Sequence, residues 1–192
     1  MGKNKSRTED DASPPLTYFL RKKKILINLL VMSFIWLSVS FNWYLLQFLV
    51  NTFENIYATG LGASASDIVA YALSGLIYEK LGIKLTIAIC YASSTIGGLI
   101  ILFYGLSHQE TWIFPILITL TKFGISCSFN VVYVAHSSLF PVLFAATAMG
   151  LCNIVARIFS SLSPLLAQME EPDPMIIFTI LTSLTFVIAF FI

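Results

Sequence analysis

Six stretches of the chain run for about 20 residues each with scarcely a charge in them, and nothing constrains the fold more than that. Crossing ~30 Å of hydrocarbon takes ~20 mostly apolar residues in a helix that rises about 1.5 Å per residue. Polar interruptions separate the stretches. Residues 25–50 end at "NTFEN", 56–78 at "EKLGIK" and 85–104 at "GLSHQET"; residues 112–134, 144–167 after an "LFP" break, and 175–192 complete the series. With 57 % hydrophobic residues, 11 % charged residues and a mean hydropathy of +0.85, nothing is left over for a soluble domain. The expected fold is all-α: a six-helix polytopic membrane domain over 25–192, preceded by a basic cytoplasmic segment or loop remnant over 1–24. The first stretch is too long for the apolar core of a signal peptide, and further spans follow it directly. "MGKNKS" formally fits a myristoylation pattern, but a basic residue straight after the glycine is unusual there.

The basic residues set the orientation. Lys3, Lys5, Arg7, Arg21, Lys22, Lys23 and Lys24 precede the first span, and Lys80 and Lys84 lie between the second and third, so nine of the eleven fall on one side. The positive-inside rule makes that side cytoplasmic. Six spans then return both termini to it. The two remaining basic residues, Lys122 and Arg157, lie inside spans, and of the ten acids only Asp67 sits well inside one. An ionised group at mid-membrane costs ~2.5 to 3.5 kcal/mol on insertion scales, so it turns toward a partner, a cavity or a ligand. The bland reading is that Asp67 pairs with Lys122 or Arg157 to tie the bundle, and that Lys122 snorkels to an interface. Cys90, Cys127 and Cys152 show neither metal-ligand spacing nor an extracellular pair and read as packing residues.

The intramembrane charges belong to stripes. Asn153, Arg157, Ser160, Pro164 and Gln168 recur at steps of three and four on the fifth span. Lys122, Ser126, Asn130, Tyr133 and Ser137 do so on the fourth. Trp36, Ser40, Tyr44, Gln47 and Asn51 follow suit on the first, and Ser66, Asp67, Ala70 and Ser74 on the second. Four polar or aromatic faces are what a water-accessible cavity requires. Small residues, Gly60, Gly62, Ser64 and Ser66 on the second span and Ser93, Ser94, Gly97 and Gly98 on the third, let helix backbones approach closely. The sixth span looks peripheral.

Other functional classes find little support. No pore loop or filter sequence appears between spans, and no glycine loop cradles a phosphate, so neither a channel nor an ATP-driven pump is indicated. "GIS" at Gly124 to Ser126 lacks a histidine base within reach, so no enzyme is expected, and no metal or organic cofactor.

Two signatures carry a family resemblance. "SGLIYEKLGIK", with Gly75, Glu79, Lys80, Gly82 and Lys84, is similar to the gating loop motif of the major facilitator superfamily. "KFGISCSFNVVYVAHSSLFP" resembles the tenth span and following turn of the organic cation, anion and carnitine transporters; "ARIFSSLSPLL" resembles their eleventh and "WLSVSFNWY" their seventh. The resemblance covers about residues 30–192 and implies the carboxy-terminal half of a twelve-span carrier of small organic ions. It places Arg157 where anion-handling and carnitine-type members have arginine, Lys122 on a lysine common there, Asp67 on an acid of the eighth span, and Tyr44 on a cavity-lining aromatic. Val69 stands where a proline is usual and Tyr71 where anion carriers often have lysine; His136 and Ser138 depart from the usual "ELFP" turn, Ser138 replacing an acid that anchors the cytoplasmic gate.

Two intramembrane cations against one anion leave a cavity of net charge +1, suited to organic anions or carboxylate-bearing zwitterions. The expected binding residues are Arg157, Lys122, Tyr44, Asn130, Tyr133, Asn153 and Asp67. Expected partners are the bilayer, the organic ion, and a second six-helix half, present in a longer form of this chain, in a separate polypeptide or in a second copy; no nucleic acid is expected. A non-transporting partner or regulatory subunit, or a fragment inactive on its own, is the alternative. The plasma membrane is the location that the family implies.

Overall fold

The computed structural model describes residues 22–51, 56–108 and 111–191. The expected cytoplasmic segment lies outside them up to residue 21. Every element is helical: α1 (Lys23–Leu49), α2 (Ile56–Ile100), a π turn (Ile101–Gly105) and a 3-10 turn (Leu106–His108), α3 (Ile113–Leu139), α4 (Val142–Ser160), the single turn α5 (Ser163–Leu166), α6 (Asp173–Ile188) and a closing 3-10 turn (Ala189–Phe191). Five of these helical runs are long and apolar enough to cross a membrane. Six were expected, and the difference lies in α2, whose 45 residues take in the second and third expected spans.

Gly82 breaks that helix from within. Its φ of 73° and ψ of 177° fall in a region that only glycine occupies without strain. The contacts of the two arms show that the chain reverses there. Along the first arm Gly62 meets Thr119, Ala70 accepts from Cys127 and Ser74 accepts from Asn130, so this arm runs parallel to α3. Along the second, Cys90 and Ser93 face Gly124 while Gly97 faces Thr121, so that arm runs antiparallel to the same helix. α1 is antiparallel to α3, with Gln47 on Lys122 and Trp36 on Tyr133, and parallel to α4, with Ser33 on Cys152 and Tyr44 on Arg157. Consecutive passes from α1 through α4 thus alternate in direction.

Other boundaries follow from proline. α3 runs five residues past the expected Val134, because Ser137 and Ser138 satisfy their hydroxyls on the carbonyls of Val134 and Ala135 inside the helix. It stops at Phe140, held extended (φ −110°, ψ 144°) by the proline after it, and Pro141 opens α4. α6 starts on Asp173 and Pro174, an acid and a proline suited to a first turn. The fifth expected span is interrupted after Ser160, where Pro164 follows four residues on.

In lipid, apolar burial drives helix association weakly, so close packing and interhelical hydrogen bonds must do more. α2 and α3 show both. A Cβ at Gly124 would lie 2.6 Å from the Cys90 carbonyl oxygen, and Ser94 donates to the Thr121 carbonyl at 3.0 Å. α1 occupies the centre, with Met32, Ile35, Trp36, Leu45 and Leu46 buried against its neighbours. Ser163 donates to its Phe41 carbonyl at 3.2 Å, and the hydroxyls of Thr185 and Ser38 meet at 2.6 Å. α6, expected to be peripheral, therefore reaches the central helix. The cysteines are free and buried, as packing residues would be.

Candidate substrate site

The three intramembrane charges fall into two groups. Lys122 on α3 is 1 % exposed and places Nζ 3.2 Å from Asp67 Oδ2 on the first arm of α2. It also donates to Gln47 Oε1 on α1 and lies 5.2 Å from the Trp43 ring centroid, while Ser126 donates to the other oxygen of Asp67. Three helices are tied at this point. Of the two pairings open in the sequence, the structure shows Asp67 with Lys122. Lys122 does not snorkel outward.

Arg157, on the last turn of α4, is exposed and donates from Nη1 to the Tyr44 hydroxyl at 2.9 Å, with its guanidinium carbon 6.0 Å from the Tyr44 ring centre. No carboxylate among the described residues lies within ion-pair distance of it. It borders an open cavity of about 290 Å³ lined by Tyr44, Phe48, Arg157, Ser160, Ser161 and Pro164. The stripe on α1 and the stripe on α4 supply these walls together.

Trp43 and Tyr44 join the two groups. Their rings meet edge to face at 5.1 Å, Trp43 on the lysine side and Tyr44 on the arginine side. An aromatic band continues from Trp43 through Phe129 to Trp36 and Tyr133, the last pair at 4.6 Å. Tyr133 is 40 % exposed, so one end of the band is open.

The remaining expected residues are placed less centrally. Asn130 donates to the Ser74 hydroxyl at 2.6 Å and bridges α3 to the first arm of α2. Asn153 donates to Met149 of its own helix at 2.9 Å. Gly75, Glu79, Lys80, Gly82 and Lys84 are all exposed around the fold-back. Ser138 is engaged with its own helix, and buried His136 donates from Nε2 to the Ala145 carbonyl at 3.1 Å, bracing the α3–α4 turn. In the sequence Gln47 stands out only as a stripe member, and Phe48 and Phe129 do not stand out at all. For Phe129 the signal was its place seven residues after Lys122 and four before Tyr133.

Comparison with known proteins agrees with this architecture. Residues 2–164 match the Major Facilitator Superfamily model. The chain is 27 % identical over 172 residues to the organic cation/carnitine transporter 2 of Rattus norvegicus, covering 88 % of this chain and 30 % of that one. It is 32 % identical over 150 residues to the organic anion transporter 3 of Oryctolagus cuniculus, covering 77 % and 27 %. It is 31 % identical over 150 residues to the putative transporter B0252.3 of Caenorhabditis elegans, covering 78 % and 30 %. The chain belongs to the major facilitator superfamily, as a multi-pass membrane protein whose relatives are organic-ion transporters. It spans about 30 % of the length of the curated relatives it matches.

Proposed function

We propose that this chain forms one six-span half of an alternating-access carrier, and that Arg157 holds the anionic end of a small organic anion or carboxylate-bearing zwitterion. One observation carries the reading: Asp67 neutralises Lys122, whereas the partner of Arg157 is a neutral tyrosine. The net positive charge expected of the cavity therefore resides on Arg157. Its planar fork can grip a carboxylate through two parallel hydrogen bonds. Tyr44 and Phe48 offer faces to an organic body beside it. Lys122 and Asp67 hold three helices together instead of contacting the substrate directly.

The alternating helix directions and the fold-back at Gly82 support six passes with both ends on one side. The basic residues assign that side to the cytoplasm, and residence in the plasma membrane belongs to the same proposal. Exposed Glu79, Lys80 and Lys84 beside Gly82 suit a cytoplasmic gate. Carriers of this kind bind substrate between two repeats. The open side of the Arg157 cavity accordingly faces a second six-helix unit, covalently joined, separate or a second copy.

Binding tests this without requiring the second half. In nanodiscs, fluorescence anisotropy should show the chain binding 6-carboxyfluorescein in preference to the cationic dye rhodamine 123. Arg157→Ala should weaken the anionic dye about 10- to 100-fold, the equivalent of roughly 1.5 to 3 kcal/mol for charge-assisted hydrogen bonds. Equal affinity for the two dyes, or an anion affinity indifferent to Arg157→Ala, would sink the proposal.

A further inference from the structure

Beside the Arg157 cavity, α4 ends on a backbone acceptor that no donor among the described residues satisfies. A regular helix would send the N–H of residue 164 to the carbonyl of residue 160, but Pro164 has no N–H and its ring crowds that carbonyl. α4 ends there. The Ser161 N–H goes back to the Arg157 carbonyl at 3.1 Å, the Leu162 N–H to Phe159 at 3.1 Å, and the Ser161 hydroxyl to Ile158 at 2.7 Å. The chain resumes as α5, whose first backbone bonds go to Leu162. Among the described residues no donor reaches the Ser160 carbonyl. The Ser160 hydroxyl, on a residue 7 % exposed, also has no hydrogen-bond partner among the described residues. Both Ser160 and Pro164 line the cavity that Arg157 and Tyr44 border.

A carbonyl without a donor is costly wherever a bound ligand displaces the water around it, and a ligand that brings its own donor avoids that cost. The end of α4 also carries the negative pole of its helix dipole, which favours the positive end of an N–H or O–H bond. The geometry points to the Ser160 carbonyl as a second recognition point, selecting organic anions that carry a hydroxyl or N–H donor close to the carboxylate over those that carry none. This rests on Arg157 holding the carboxylate, as proposed above, and adds what the neighbouring atoms of the substrate must be.

The test uses a matched pair, mandelate and O-methylmandelate, which differ in whether the α-oxygen bears a hydrogen or a methyl. Both are measured by displacement of 6-carboxyfluorescein from the chain in nanodiscs. Mandelate should bind about fivefold more tightly, the scale of one net hydrogen bond. Pro164→Ala supplies the missing N–H to Ser160 and should bring the ratio to about one; because the ratio is internal to each variant, a general loss of affinity cancels. Ser160→Ala keeps the carbonyl and should retain most of the preference. A ratio of one in the unaltered chain, a ratio that survives Pro164→Ala, or its complete loss in Ser160→Ala would overturn the assignment. Should Pro164→Ala not fold, the other two measurements still decide. Phenylacetate, which has no donor, separates the two proposals: if its binding ignores Arg157→Ala, the arginine reading fails whatever the mandelate ratio.

Discussion

Replacing Asp67 with asparagine removes the charge that offsets Lys122 while keeping shape and an oxygen for Ser126. The lysine is 1 % exposed and buried by three helices, so it cannot recover its lost partner from water. Breaking a buried pair by removing one member costs about 3 to 5 kcal/mol, because the survivor is left uncompensated. Here Lys122 keeps the Gln47 oxygen and the face of Trp43, which lowers the loss to or just below the bottom of that range, about 2 to 3 kcal/mol. Reversible unfolding in mixed micelles, followed by far-UV circular dichroism, measures it. Lys122→Met in the Asp67→Asn background should restore most of the stability, since no charge then remains to be buried. Asp67→Asn within about 0.5 kcal/mol of the parent, or a double variant no more stable than the single one, would refute the claim that this pair is a structural tie.

Two glycines make opposite use of the same absent side chain. Gly82→Ala should cost about 1 to 3 kcal/mol in the same unfolding assay, although open space surrounds the position, because its φ of 73° with ψ of 177° is what resists a Cβ. Gly124→Ala should cost a comparable 1 to 3 kcal/mol for a steric reason, since its Cβ would press on the Cys90 carbonyl, and loss of α2–α3 packing should appear as faster backbone hydrogen exchange around residues 90–97.

The parts of the fold legible in the sequence were those that obey one-dimensional rules. Apolar length located the helices, the "LFP" break located the α3–α4 turn at Pro141, and the spacing of Tyr44 and Arg157 put each on a polar face. Pairing across helices was a different matter. Asp67 could equally have answered Lys122 or Arg157, and only the parallel register of the first arm against α3 decides for Lys122. The reversal within Ile56–Ile100 was legible as the polar "EKLGIK" break, but which residue takes the turn was not, because glycine in a sequence reports the absence of a side chain and leaves the sign of φ unstated. Phe129 stands in register with Lys122 and Tyr133, but it carries no polar atom, so its spacing alone does not distinguish a member of the aromatic band from a packing residue.

Trp43 and Tyr44 are neighbours on α1, and successive residues of a helix point about 100° apart around its axis. One leans on the buried lysine and the other answers the exposed arginine. α1 is thus shaped like a camshaft with two lobes. Any turn of it large enough to withdraw Tyr44 from Arg157 would also have to move Trp43 relative to Lys122, because one rigid helix carries both rings.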